Sequence, residues 1–246
     1  MIRLAELPWI EAKAASGERW LALLPVGAIE AHGPHLPLGT DVVIAEAMAE
    51  SAAARLESAG RRVALLPALA CGVTECAGDF FGTISIGPAT VQAFVVDVAA
   101  SLQRHGCARL GLVNAHLEPA HRRALRAAAE AATAAGLPTR FPDLVRRGNA
   151  SRLGAEFISG ACHAGSFESS ILLAARPDLV REETRRRIPE NPTSIGAELA
   201  AGKRTFVEAG GRDAYFGAPA AASAEEGRAL LRELGAIVAE EMLRES

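Results

Sequence analysis

Short apolar runs alternate with longer stretches of helical spacing along the whole chain, and this rhythm limits the fold more than any single motif. Trp20–Val26, Arg62–Leu66, Arg109–Val113 and Thr139–Pro142 read as strands. Helical spacing marks Asp41–Ser58, with Asp41 placed like an N-cap. Pro88–His105 reads as a second helix, ending before Gly106, and Glu118–Ala135 as a third, stopped by Gly136-Leu137-Pro138. Phe167–Ala175 begins a fourth helix and Ala224–Glu245 forms a long terminal one. Parallel strands need crossover connections, and these helices supply them. The expectation is an α/β fold, one three-layer αβα domain over residues 1–246 around a mainly parallel sheet, since no repeat or low-complexity linker divides the chain. Arg181–Gly217 carries the cluster Arg181–Arg187, the interruptions Pro189 and Pro192, and Gly210-Gly211. It reads as an extended excursion, either a solvated loop or a surface that packs on another subunit.

Charge and cysteine usage remove several classes of function. Lys+Arg 26 against Asp+Glu 29 gives a net charge of -3, with no basic block to neutralise a run of phosphates, so no nucleic-acid partner is expected. Runs such as Leu21–Pro25 and Leu110–Val113 fall far short of the ~20 residues that cross a bilayer, so no membrane partner is expected either. Arg3, Glu6, Glu11 and Lys13 stand where a signal peptide needs an unbroken apolar stretch. The four cysteines, Cys71, Cys76, Cys107 and Cys162, form no CxxC pair and read as buried free thiols. A cytoplasmic protein is expected.

The chemistry concentrates at two strand ends. The chain has six histidines, and two of them lie in Glu30-Ala31-His32-Gly33-Pro34-His35, just after the first strand. Glu30 and His32 are two apart and point to one side of an extended segment, and the turn residues that follow let Asp41 return to the same cluster. Leu110–Val113 likewise runs into Asn114-Ala115-His116-Leu117-Glu118, with His116 and Glu118 again two apart. Open α/β sheets collect ligands at the carboxyl ends of their strands. Glu30, His32, Asp41, His116 and Glu118 are hard and borderline donors suited to Zn, Mn or Fe, enough for two ions sharing one carboxylate. No G-x-S-x-G elbow, P-loop or dinucleotide fingerprint competes. His121 and His105 read as helix-surface histidines. Asn114 either orients a ligand or substrate or caps the following helix.

The run from Leu24 to Asp41, Leu24-Pro25-Val26-Gly27-Ala28-Ile29-Glu30-Ala31-His32-Gly33-Pro34-His35-Leu36-Pro37-Leu38-Gly39-Thr40-Asp41, resembles the signature of the creatininase family of metal-dependent amidohydrolases. Phe81-Gly82-Thr83-Ile84-Ser85-Ile86, Val113-Asn114-Ala115-His116-Leu117-Glu118, His163-Ala164-Gly165-Ser166-Phe167-Glu168-Ser169-Ser170 and Tyr215-Phe216-Gly217-Ala218-Pro219 extend the likeness over essentially the whole chain. The resemblance implies one ion on Glu30, Asp41 and His116 and a second on His32, Asp41 and Glu118. It also implies a catalytic histidine at His163 and a supporting glutamate at Glu168. His35 matches the signature's second histidine and is given an orienting or packing role. Further implications are a small-molecule amide substrate and a homo-oligomer, a hexamer in relatives. In creatinine hydrolases of the family a tryptophan stands just before the catalytic histidine. Here Phe157-Ile158-Ser159-Gly160 occupies that stretch, which argues against creatinine as the substrate. The expected reaction is cleavage of another cyclic or non-peptide carbon–nitrogen bond by a metal-activated hydroxide, with Glu118 and His163 as the catalytic pair. A peptidase of cofactor maturation and a formamide deformylase are alternatives on the same scaffold. A metal-binding assembly protein without turnover is the alternative of another class.

Overall fold

In the computed structural model, which describes residues 1–245, five strands form one parallel sheet in the order β1-β3-β2-β4-β5. They are β1 (Ile2–Arg3), β2 (Leu21–Val26), β3 (Val63–Leu65), β4 (Arg109–Asn114) and β5 (Thr139–Arg140). The longer helices are α1 (Trp9–Ser16), α2 (Thr40–Ser58), α3 (Pro88–Arg104) and α4 (Pro119–Ala134). Short α5 (Arg147–Ala150) and α6 (Gly154–Ser159) lead to α7 (Ser166–Ala175). Short α8 (Glu182–Arg185) and α9 (Ile195–Ala200) follow, and α10 (Ala224–Leu243) closes the fold. Ser246, the last residue of the expected domain, lies outside the described residues.

Alternation along the strands builds the three layers. Leu21, Leu23, Val63 and Leu65 face α2, α7 and α10, whereas Ala22, Leu24, Ala64, Leu110 and Leu112 face α3 and α4. The central strand β2 is therefore buried along its whole length. It pairs with β4 from Leu21 opposite Arg109 to Val26 opposite Asn114. After β2 the chain leaves over α2, and after β4 it leaves over α4 on the opposite face. The carboxyl ends of β2 and β4 thus flank a crevice at the point where the strand order reverses.

Several local expectations change. The helix after Gly39 starts at Thr40 and makes no side-chain cap bond, so Asp41 is not an N-cap but lies inside the first turn. β1 and α1 have no sequence signal, because β1 is two residues long and α1 buries none of its residues. Residues 181–217 are not an extended excursion. They form α8 and α9, bury Phe206, Ala209 and Phe216 in a small core, and pair Asn191 with Gly217. The four cysteines are free; Cys76, Cys107 and Cys162 are buried and Cys71 is partly so. No helix among the described residues is long and apolar enough to cross a membrane.

Candidate metal centre

The crevice collects side chains from four segments. Glu30 and His32 come from the loop after β2, Asp41 from the first turn of α2, His116 and Glu118 from the loop after β4, and His163 and Glu168 from the loop and first turn of α7. All seven are buried. Three groups of donors lie within 4.8 Å of one another: Glu30, Asp41 and His116; His32, Asp41 and Glu168; and Glu30, His32 and His163. Asp41 is common to the first two. His116 Nδ1 lies 3.4 Å from Glu30 Oε1 and 3.1 Å from Asp41 Oδ2, and His32 Nε2 lies 3.4 Å from Asp41 Oδ1 and 3.5 Å from Glu168 Oε2.

Backbone carbonyls aim the three imidazoles. His32 Nδ1 is 3.1 Å from Glu30 O, His116 Nε2 is 2.8 Å from Val73 O, and His163 Nε2 is 2.9 Å from Ala31 O. A ring N–H donating outward in each case leaves the inner nitrogen facing carboxylates with its lone pair, the arrangement seen around metal-ligating histidines. The acids are anchored as well. Thr74 Oγ1 donates to Glu30 Oε2, and Ala164 N donates to Glu168 Oε2 at 2.6 Å.

Electrostatics draw positive charge to the middle of this cluster. Burial lowers the His32 imidazole, but Asp41, with Glu168 and Glu30 behind it, overrides that and holds it at about 10. His116 is depressed by burial and raised further by Glu30 and Asp41, ending well above its ordinary value. Burial would raise the Asp41 carboxyl, yet His32 and His116 hold it well below the carboxylate range. Glu168 is pushed up to about 8 by burial, against the attraction of His32. His163 falls to about 4 through burial and the neighbouring charge of His32. His32 Nε2 and Asp41 Oδ2 are buried with no hydrogen-bond partner, which are the atoms a central cation would satisfy. Imidazole and carboxylate donors around such orphaned atoms fit divalent Zn, Mn or Fe.

The positions of the sequence candidates now differ in kind. Glu30, His32, Asp41 and His116 converge. Glu168, expected only as a supporting residue, stands in the His32–Asp41 group where the resemblance implies Glu118. Glu118 belongs to none of the three groups; it lines the adjoining cavity, and its Oε2 accepts from Cys76 N at 3.0 Å. Asn114 is not a helix cap. Its Nδ2 donates to His116 O at 2.6 Å and its Oδ1 lies 3.1 Å from His121 Nε2. His121 is fully buried rather than on the surface, and its Nδ1 accepts from Val73 N at 3.2 Å. The signal was present in the spacing: His121 stands one turn before Ala124 and Leu125 and continues the buried stripe of Ala124, Leu125, Ala128, Ala129 and Ala132. His35 is buried against Ser169, 2.9 Å from its hydroxyl.

Beside the cluster opens a cavity of about 170 Å³. Its walls away from the acids and histidines are mainly apolar, from Leu117, Pro119, Val145, Phe157, Ile195, Leu199 and Phe206. That is room for several waters or for a small substrate group. Ile195, Leu199 and Phe206 come from residues 181–217, so that segment forms part of the cavity wall. Phe206 lies 4.4 Å, ring to ring, from His163.

A family model for creatininase, described as creatinine amidohydrolase, matches residues 5–242. The mycofactocin precursor peptide peptidase of Mycobacterium ulcerans (strain Agy99) is 33% identical over 218 residues, covering 86% of this chain and 80% of that protein. A creatinine amidohydrolase of Pseudomonas putida is 36% identical over 122 residues, 47% of this chain and 45% of the relative. A solved creatininase, "Creatininase Mn", superposes with a TM-score of 0.74 at 25% identity, over 97% of this chain and 96% of the other.

Proposed function

The chain belongs to the creatininase family of metal-dependent hydrolases, and from that premise we propose that this single domain cleaves a carbon–nitrogen bond of a small amide with two divalent ions. The observation that carries the reading is Asp41, whose two oxygens face two separate donor groups. Glu30, Asp41 and His116 would hold one ion, and His32, Asp41 and Glu168 the other, with Asp41 as the bridge. Zinc and manganese suit the donors, and iron is compatible with them. When bound, such a pair lowers the pKa of water towards neutrality and polarises a carbonyl oxygen.

The remaining work falls to this chain's own residues. Glu118 lines the cavity next to His116, where it takes the proton of the attacking water. His163 lines the same cavity and keeps its Nε2 proton on Ala31 O, so its Nδ1 can take up the proton that Glu118 removes and pass it to the leaving nitrogen, which returns both groups to their starting states. The apolar walls exclude water and seat the group flanking the amide. Creatinine is not the proposed substrate: Trp20 is buried in the sheet layer, Trp9 is exposed, and neither lines the cavity. Two observations favour a peptide bond as a second reading, the apolar cavity and the likeness to the mycobacterial peptidase over most of both chains. The four free thiols suit a cytoplasmic setting. Exposed Phe81, Trp9 and Ile10 suit burial in a homo-oligomer, the hexamer of the resemblance.

The test is release of amine from a panel of formamides, cyclic amides and dipeptides by metal-loaded protein. We expect turnover that a chelator abolishes and that Glu118→Gln lowers roughly 10²–10⁴-fold with metal content unchanged. Full activity in that variant, or activity indifferent to chelator, contradicts the proposal.

A further inference from the structure

One pocket-lining charge has no part in the proposed metal chemistry. Arg122 lies in the first turn of α4, four residues beyond Glu118, and lines the same cavity. Its Nε and Nη2 donate to the two oxygens of Asp143 at 3.0 and 2.9 Å, a side-on fork that fixes the plane of the guanidinium. Asp143 is buried, and it also accepts from Arg126 Nη2 at 2.7 Å and from Val145 N at 3.2 Å. Arg122 and Arg126 thus share a single carboxylate, and of the two only Arg122 lines the cavity. Arg122 Nη1 makes no hydrogen bond among the described residues, and about a fifth of the side chain is exposed (22%). Apart from Arg122, the charged or titratable residues lining the cavity are the acids and histidines of the cluster and the two thiols, Cys76 and Cys162. The other walls include the apolar surfaces of Leu117, Phe157, Ile195, Leu199 and Phe206.

We propose that Arg122 recognises a carboxylate on the substrate. The amide cleaved is then that of an N-acyl amino acid or short peptide, with an apolar side chain against the cavity walls and a free carboxylate on the guanidinium. This rests on the hydrolase reading only for the identity of the bond broken; the anion site stands on Arg122 and its buried brace. A neutral cyclic amide would leave Arg122 Nη1 without a charged acceptor, whereas a carboxylate placed on it gains charge-assisted hydrogen bonds.

The test measures binding of N-acetyl-L-leucine and of neutral N-acetyl-L-leucinamide to the metal-loaded protein by calorimetry. In parallel, kcat/KM is measured for N-formyl-L-leucine and N-formyl-L-leucinamide. The acid is expected to bind roughly ten- to a hundredfold more tightly than the amide, from ~1.5–3 kcal/mol for hydrogen bonds to a charged group. In Arg122→Gln that ratio falls to near one, and in Arg122→Lys, which keeps the charge without the fork, part of it remains. Arg126 still pairs with Asp143 in both variants, and their melting curves verify folding. Equal binding of acid and amide by the unaltered protein overturns the inference. So does a preference that survives Arg122→Gln, which would assign the carboxylate to the metal end. Absence of turnover with both formyl compounds would count against the hydrolase reading, while the calorimetric ratio still decides the anion site.

Discussion

His121 braces the metal-facing loop from behind. Its ring joins Val73 N to Asn114 Oδ1, while Val73 O faces His116 Nε2 and Asn114 Nδ2 holds His116 O, closing a circuit around the ligand. Burial, then the nearby charge of His116, lowers its pKa to about 3, so it acts as a neutral donor and acceptor. His121→Phe strands two buried polar groups, Val73 N and Asn114 Oδ1, each costing ~1–3 kcal/mol, and loosens the two segments that hold His116. We expect metal affinity, measured by chelator competition, to drop roughly 10–100-fold, as for other outer partners of metal ligands. Unchanged affinity would show that His121 is packing alone. Asp143 gives a pH-dependent counterpart. Burial raises its carboxyl, but the bonds and charge of Arg122 and then Arg126 hold it below the ordinary carboxylate value. A carboxyl depressed on folding stabilises the protein above its unfolded pKa of ~3.9 and loses that contribution as pH falls through the folded value. Asp143→Asn is therefore expected to cost roughly 1–3 kcal/mol in denaturant unfolding at neutral pH and progressively less below about pH 4. A cost that does not shrink in acid would exclude the ion-pair account.

Helix packing depends on two glycines of α10. A Cβ on Gly227 would stand 1.8 Å from Ser170 O of α7, and one on Gly235 would stand 2.2 Å from Ser51 Oγ of α2. The first is a collision with backbone that no side-chain rotation relieves. Gly227→Ala should cost about 3 kcal/mol or more, the upper end of ordinary overpacking. For a domain of this size that lowers the melting temperature by roughly 6–12 °C. A shift below a degree would mean that α10 is not seated as described. These contacts were invisible in the sequence, because glycine inside Ala224–Leu243 carries no sign of what it approaches. The strands β2 and β4 and the helices α2, α3 and α4 were legible, because each is long enough to show its period. β1 and α1 were not, because neither presents a buried face of useful length. Residues 181–217 misled for a different reason: their prolines and charges mask Phe206 and Phe216, which are buried only through long-range contacts.

At the scale of the molecule, the reversal of strand order between β2 and β4 brings distant segments to one crevice. Two of those segments announced themselves by a glutamate and a histidine two residues apart at a strand end. Asp41 was legible through the turns before it. Glu168 as a member of the His32–Asp41 group was not, since nothing in Phe167-Glu168-Ser169 states that α7 begins against the mouth of β2. Arg122 was silent for the same reason, its meaning resting on Asp143 some twenty residues away. Four buried carboxylates, Glu30, Asp41, Glu118 and Glu168, balance two divalent cations, so removing the ions leaves the protein to fill the site with protons. We expect chelation to lower the melting temperature and re-addition of metal to restore it. The most direct measurement is anomalous scattering from a crystal grown with zinc or manganese. Two peaks ~3.5–4 Å apart are predicted, one within coordinating reach of Glu30, Asp41 and His116 and the other of His32, Asp41 and Glu168. A single peak, or metal bound only outside these five side chains, would contradict the account.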